Sequence, residues 1–171
     1  QALVDMERMF GLLDEKPEIA DRAGAAPLVI SGGDLVFDNV HFSYGDRAIL
    51  KGVSFRVPAG KRVAIVGPSG SGKTSISRLL FRFYDPQSGA VLLDGQDLRN
   101  VTQNSLRSAI AVVPQDTVMF NASIGYNIGY GQESAIQADI ENAARLAAID
   151  GFISKLPQGY ATMVGERGLK L

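Results

Sequence analysis

Apolar positions change their period several times along the chain, and each change marks an element. Leu3, Met6, Phe10 and Leu13 fall on one helical face, with Asp5, Glu7, Arg8 and Asp14 elsewhere. This spacing predicts a helix of about four turns that ends before Pro17. It has nothing local to pack on, so it fits either a neighbouring domain or a cap on this one. Residues 17 to 34 hold Pro17, Gly24, Pro27, Gly32 and Gly33 and read as a linker. Alternation then runs through Val36, Val40, Phe42 and Tyr44, turns at Gly45-Asp46, and resumes at Val53, Phe55 and Val57 before Pro58-Ala59-Gly60. Two antiparallel strands are expected there.

The second half of the pattern is denser. Arg62-Val63-Ala64-Ile65-Val66 is a short apolar run of the kind a buried parallel strand carries. Ile76, Leu79, Leu80 and Phe83 recur at helical spacing, with Arg78 and Arg82 off that stripe. Ala90 to Leu93 predicts a strand ending at Asp94-Gly95, residues 103–109 a short helix, and Ile110 to Val113 another strand. From Asn121 the pattern is mainly helical. Ser134 and Gln137 have capping-box spacing, and Ile136, Ile140, Ala143 and Ala147 form a narrow stripe expected to face a core.

Between the predicted strand at 62–66 and the helix after it lies Gly67-Pro68-Ser69-Gly70-Ser71-Gly72-Lys73-Thr74. It fits the phosphate-binding pattern G-x-x-x-x-G-K-[ST] at every fixed position. Glycine takes positive φ without steric penalty, so the backbone can close around an anion with its N–H groups pointing inward. The positive end of the following helix adds to that field. Lys73 is placed to reach the β- and γ-phosphates, and the Thr74 hydroxyl to ligate Mg²⁺. A chance match in a chain this long is on the order of one in a few hundred at average residue usage. The strand–loop–helix context weakens the alternative of a plain Gly/Ser loop with a solvated lysine.

Composition narrows the class without changing that reading. The chain has 171 residues, 46% hydrophobic and 20% charged, which suits one globular domain with a short appendage. A formal net charge of −1 gives no global basic field, so nucleic acid is not an expected partner. No stretch reaches the apolar length that spans a bilayer, and Gln1 to Glu7 lacks the regions of a signal peptide. There are no cysteines, which excludes disulfides and thiolate metal sites.

Three further residues have two readings each. Tyr44 ends the first strand, where an aromatic ring either packs or stacks on a base, the latter worth about 1–3 kcal/mol in single-stranded nucleic-acid systems. Gln115 follows Pro114 after the strand at 110–113, at the kind of strand end where open α/β sheets bind ligands. Its amide can address Mg²⁺, a water or the γ-phosphate, or lie solvated in a loop. His41, the one histidine, sits in the first strand and reads as structural.

Taken in order, these segments resemble the nucleotide-binding domain of an exporter-type ABC transporter, from about Val36 to Leu171. Phe42-Ser43-Tyr44 resembles the adenine-stacking loop, Leu50 to Phe55 the second strand, and residues 67–74 the Walker A loop. Phe83-Tyr84-Asp85-Pro86-Gln87-Ser88-Gly89 and Leu93-Asp94-Gly95 resemble the connector and strand that follow. Val113-Pro114-Gln115-Asp116 resembles the Q-loop, and Val164-Gly165-Glu166-Arg167-Gly168 the cross-linking loop that meets coupling helices. The resemblance implies an α/β fold: a P-loop NTPase core, an antiparallel β-subdomain before it and the start of an α-helical subdomain after Asn121. It implies residues 1–16 as the end of a preceding transmembrane-domain helix, 17–34 as linker, and 35–171 as the N-terminal part of the nucleotide-binding domain.

It also implies ATP and Mg²⁺ as cofactors. Tyr44, Gly67, Pro68, Ser69, Gly70, Ser71, Gly72, Lys73, Thr74, Ser75 and Gln115 would contact the nucleotide, and Thr74 and Gln115 the metal. The implied partners are a membrane domain, met through the Gln115 and Glu166 loops, and a second nucleotide-binding domain, at the cytoplasmic face of a membrane such as the bacterial inner membrane. The family's Leu-Ser-Gly-Gly would begin at Leu171, and its Walker B strand, catalytic Glu, D-loop and switch His do not occur in these residues. A piece of a longer transporter, cut inside its ATPase domain, is therefore expected to bind ATP without hydrolysing it. Gly165 to Leu171 and Tyr126 to Gly131 are similar to the heavy-metal and mitochondrial iron–sulfur exporter subfamily, which implies glutathione-type thiol or heavy-metal conjugates as cargo. Lipid and multidrug exporters share much of this segment.

Other classes share the loop. GTPases carry N-K-x-D after it, which this chain lacks. A small-molecule P-loop kinase leaves Gln115 and the 164–168 loop without a role. The alternatives kept are a lipid or multidrug ABC exporter and a non-hydrolysing nucleotide-binding module.

Overall fold

The computed structural model describes residues 17–114 and 118–165, together with Met6 and Phe10, both helical and exposed. The rest of the predicted N-terminal helix, Gln115 and Glu166 lie outside the described residues. The chain divides into two units, Gln1–Ala111 and Val112–Leu171.

The first unit is built on strands β1 (Leu35–Tyr44), β2 (Arg47–Val57), β3 (Ser88–Leu93) and β4 (Gln96–Asp97), ordered β2-β1-β3-β4 with antiparallel neighbours. Helices α1 (Lys73–Leu80) and α2 (Gln103–Ala109) accompany the sheet. Phe37, Val40, Phe42, Leu50, Leu79, Val91, Leu93 and Leu106 make its core. Side chains in an uninterrupted strand alternate faces, yet Phe37 and Val40, three apart, are both buried. The register shifts between them, and Asn39 stands at φ 47°. This bulge re-aims the strand, so Phe37 and not Val36 faces inward. The Asp94-Gly95 connection from β3 to β4 has positive φ at both residues, 49° and 76°, as a two-residue hairpin of matching twist requires.

Residues 17–34 follow the first unit closely. Ala26 bridges to Val101, Leu28 N–H donates to Ser105 Oγ at 2.8 Å, and the four N–H groups of Ser31 to Asp34 all donate to the Asp94 carboxylate at 2.7–3.0 Å. Those donors hold the Asp94 carboxyl well below the usual carboxylate range.

Two predicted strands carry no ladder. Neither 62–66 nor 110–113 pairs with another strand among the described residues, and Val66 and Val113 are 88% and 93% exposed. A strand is stabilised by its neighbour's hydrogen bonds, and neither run has such a neighbour among the described residues. Helix α1 also stops earlier than the apolar stripe suggests. Its last turn closes with Phe83 N–H on Arg78 O (2.9 Å) and Arg82 N–H on Leu79 O (3.0 Å), with Arg82 at φ 51°. This is the Schellman arrangement, in which the residue after the cap is usually glycine. Arg82 tolerates it because its side chain, 1% exposed, donates to Val101 O, Ala20 O, Asp85 and Asp21. Phe83 therefore leaves the helix and is exposed.

The second unit pairs β5 (Ala122–Ser123) with β6 (Met163–Val164) and carries helices α3 (Ile124–Gly129), α4 (Gln137–Leu146) and α5 (Asp150–Ile153). Ile124, Ala144, Ile153 and Val164 form its core. The predicted stripe on α4 is displaced: Ile136, Ala143 and Ala147 are exposed and Ala144 is buried. The expected cap is displaced too. Ile136 precedes the helix, and its N–H is taken by Asp139 at 3.1 Å, so Ser134 lies outside the capping geometry. Among the described residues no helix is long and apolar enough to cross a membrane.

Candidate nucleotide-binding site

The glycine-rich loop lies against β2 and opens into α1, whose first residue is Lys73. Gly72, the N-cap, sits at φ 94° with its α-carbon so close to β2 that an added Cβ would stand 2.7 Å from Leu50 Cδ2. Both the left-handed backbone and the missing side chain are needed for the turn to seat there. Gly70 is also left-handed, at φ 79°. A Cβ on Gly67 would meet Ser71 Oγ at 2.9 Å, and Ser71 N–H closes the turn on Pro68 O at 3.3 Å.

Lys73 curls back over this turn. Its Nζ donates to the carbonyl oxygens of Gly67 and Pro68, each at 2.8 Å. An ammonium has three donors, so one remains to meet an incoming anion among the described residues. Thr74 is exposed at the start of the helix, and its carbonyl accepts from Ser77 Oγ at 2.8 Å. Helix polarity places positive potential at the same end.

Tyr44 comes to this region from the end of β1. Its ring packs edge-to-face on Phe42 (4.7 Å between centroids, 82°) and on Tyr84 (5.2 Å, 85°). Its hydroxyl accepts from Arg78 at 3.0 Å. Burial opposes the phenolate, but hydrogen bonds with Ser75 and Arg78 outweigh it and bring the hydroxyl below its ordinary value. Ser75 is buried. The structure thus brings Tyr44, Ser75 and the loop 67–74 together on one unit, with Ser69 exposed on the loop.

The tie from Arg78 to Tyr44 is a tertiary feature: the sequence places Arg78 off the apolar stripe of α1, one turn beyond Thr74, and that spacing beside an aromatic strand end is its one signal. His41, as expected, plays a structural part, its Nδ1 lying 3.0 Å from Asn39 O at the bulge.

Among the described residues two concavities bear on the choice of site. One of about 370 Å³, lined by Ser43, Tyr44, Tyr84 and Gln87 among others, flanks the tyrosine. A larger one of about 790 Å³ belongs to the second unit, beside Tyr126, Tyr130 and Tyr160. It contains no glycine cradle and no lysine, so its size does not make it the phosphate site. The residues of the loop fit a triphosphate better, because anion binding depends on oriented N–H groups and a cation more than on enclosed volume. Among the described residues no cluster of His, Asp and Glu could hold a metal unaided. A Mg²⁺ ion carried by phosphates needs one or two protein oxygens, and the Thr74 hydroxyl, exposed at the start of α1, can offer one.

Comparison with known proteins identifies what the chain as a whole is similar to. The family model described as "ABC transporter" matches residues 50–166. An ATM1-type heavy metal exporter of Novosphingobium aromaticivorans is 59% identical over 172 residues, covering 100% of this chain and 28% of that protein. The mitochondrial iron–sulfur clusters transporter ABCB7 of Homo sapiens is 51% identical over 174 residues, 100% of this chain and 23% of that protein. A solved bacterial Atm1-family ABC exporter with ATP bound superposes with a TM-score of 0.90 at 59% identity, over 99% of this chain and 30% of that one. The chain therefore spans under a third of the length of these relatives.

Proposed function

Because the chain belongs to the ABC transporter family, we propose that it is the ATP-binding part of an exporter whose cycle of ATP binding and hydrolysis drives transport across a membrane. The observation that carries this reading is the Lys73 ammonium held over the glycine turn by the Gly67 and Pro68 carbonyls. The amides of residues 70–74 and the N-terminus of α1 receive the β- and γ-phosphates, and Lys73 exchanges its carbonyl contacts for phosphate oxygens. Such N⁺–H···O⁻ bonds are about twice as strong as bonds between neutral groups. The Thr74 hydroxyl, with Gln115, addresses Mg²⁺, which supplies charge neutralisation at the phosphates when bound. Tyr44 presents its ring to adenine.

The Gln115 and Glu166 loops meet the membrane domain of the same transporter in this reading, and a second nucleotide-binding domain completes the site on the cytoplasmic face. Relatives named as a heavy metal exporter and an iron–sulfur clusters transporter, identical at 59% and 51% of positions, support a heavy-metal or iron–sulfur cargo, for which we propose glutathione-type thiol or heavy-metal conjugates as the transported form.

The test is the full-length protein in proteoliposomes. ATP hydrolysis stimulated by a glutathione conjugate and abolished by Lys73→Ala is the expected result. Hydrolysis that persists in Lys73→Ala overturns the site, and stimulation by lipids or amphipathic drugs but by no thiol compound overturns the cargo.

A further inference from the structure

We propose that Arg78 is a positioning residue for the base-reading tyrosine: it fixes Tyr44 from the phosphate-loop helix, so that base and triphosphate are bound as one register. The inference rests on the reading of Tyr44 as the adenine platform. Tyr44 ends β1, whereas Lys73 and Thr74 begin α1, and these elements are separate in sequence. Arg78 ties them directly, through a 3.0 Å bond from its guanidinium to the Tyr44 hydroxyl. Its guanidinium carbon lies 5.8 Å from the ring centre. That distance is within the roughly 6 Å reach of a cation–π contact, so Arg78 lies over the ring as well as on its hydroxyl and ties the helix to Tyr44 at two points.

Edge-to-face contacts with Phe42 and Tyr84 fix the tilt of the ring, and the Arg78 bond fixes its distance from the helix. Arg78 itself is exposed, so replacing it leaves the core untouched. The triphosphate needs neither Tyr44 nor Arg78 in this account. Their effect is confined to nucleotides that carry a base.

Calorimetry on the full-length protein, with Mg²⁺ and either ATP or inorganic tripolyphosphate, separates the two contributions. Arg78→Met and Tyr44→Phe are each expected to weaken ATP about three- to tenfold, the range set by the net worth of an ordinary hydrogen bond. The double variant is expected to lose less than the sum of the two single losses, since the bond from Arg78 to the Tyr44 hydroxyl is absent in both. Arg78→Lys recovers part of the loss, and tripolyphosphate binds all variants equally. Arg78→Met weakening tripolyphosphate as much as ATP overturns the inference, because Arg78 then acts on phosphate. ATP affinity unchanged in Arg78→Met, or additive losses in the double variant, overturns it as well. Wild-type protein that binds tripolyphosphate and not ATP removes the adenine platform, and this inference with it.

Discussion

Lys73 and Asp94 are two charged groups held by backbone atoms, and they respond to substitution in different ways. Lys73 Nζ rests on two carbonyls and is available to exchange them for phosphate. Asp94 is locked by the N–H groups of Ser31 to Asp34, and its role is to fasten that segment to the β3–β4 turn. Its folded-state pKa is depressed, so its contribution to stability is present above the unfolded value of about 3.9. That contribution is lost as pH falls through and below this value. Asp94→Asn is expected to lower the melting temperature at pH 7 and to flatten the acid limb of the stability curve. Hydrogen exchange at residues 31–34 should quicken in the same variant, and unchanged exchange there would contradict the role. Gly72→Ala is expected to destabilise by about 1–3 kcal/mol through positive φ and the clash with Leu50, measured by denaturant unfolding.

At the level of elements, helix ends and bulges are where the chain departs from simple periodicity. The hairpin turns at Gly45-Asp46 and Asp94-Gly95, the strand at 90–93 and the helix at 103–109 were legible, because their turn residues and periods agree. The end of α1 was not, since Arg82 occupies a position where glycine is the usual signal and compensates through long-range hydrogen bonds. The bulge at Asn39 was equally hidden: it reverses strand parity without a glycine at the bulged residue. In the site, Lys73 and the loop glycines were readable from their spacing, whereas the Arg78–Tyr44 tie depends on tertiary placement.

Helix α4 ends in the same way as α1, with Ala148 at φ 58° and its N–H on Arg145 O at 3.0 Å. Ala148 is exposed and has no side chain bonds to offset that conformation. Ala148→Gly should therefore stabilise by about 1 kcal/mol, the cost of a left-handed Cβ, seen as a raised denaturation midpoint. A lowered midpoint would show that the strain is not there.

For the whole molecule, the first unit carries the phosphate loop and its tyrosine, and the second carries a small helical core of its own. The apolar run at 63–66 that leads into the loop is exposed and unpaired among the described residues. In the 171-residue chain, amides of that run should exchange with solvent much faster than those of Phe37 to Phe42 in the paired strand β1. Equal protection would mean that the run has found a ladder.

The most direct test of the account is titration of MgATP into the full-length protein by calorimetry, beside its Lys73→Ala variant. Saturable binding by the wild-type protein, weakened roughly tenfold or more in the variant, is predicted. Equal affinity in the two proteins, or no uptake by the wild type, would contradict the phosphate loop as the nucleotide site.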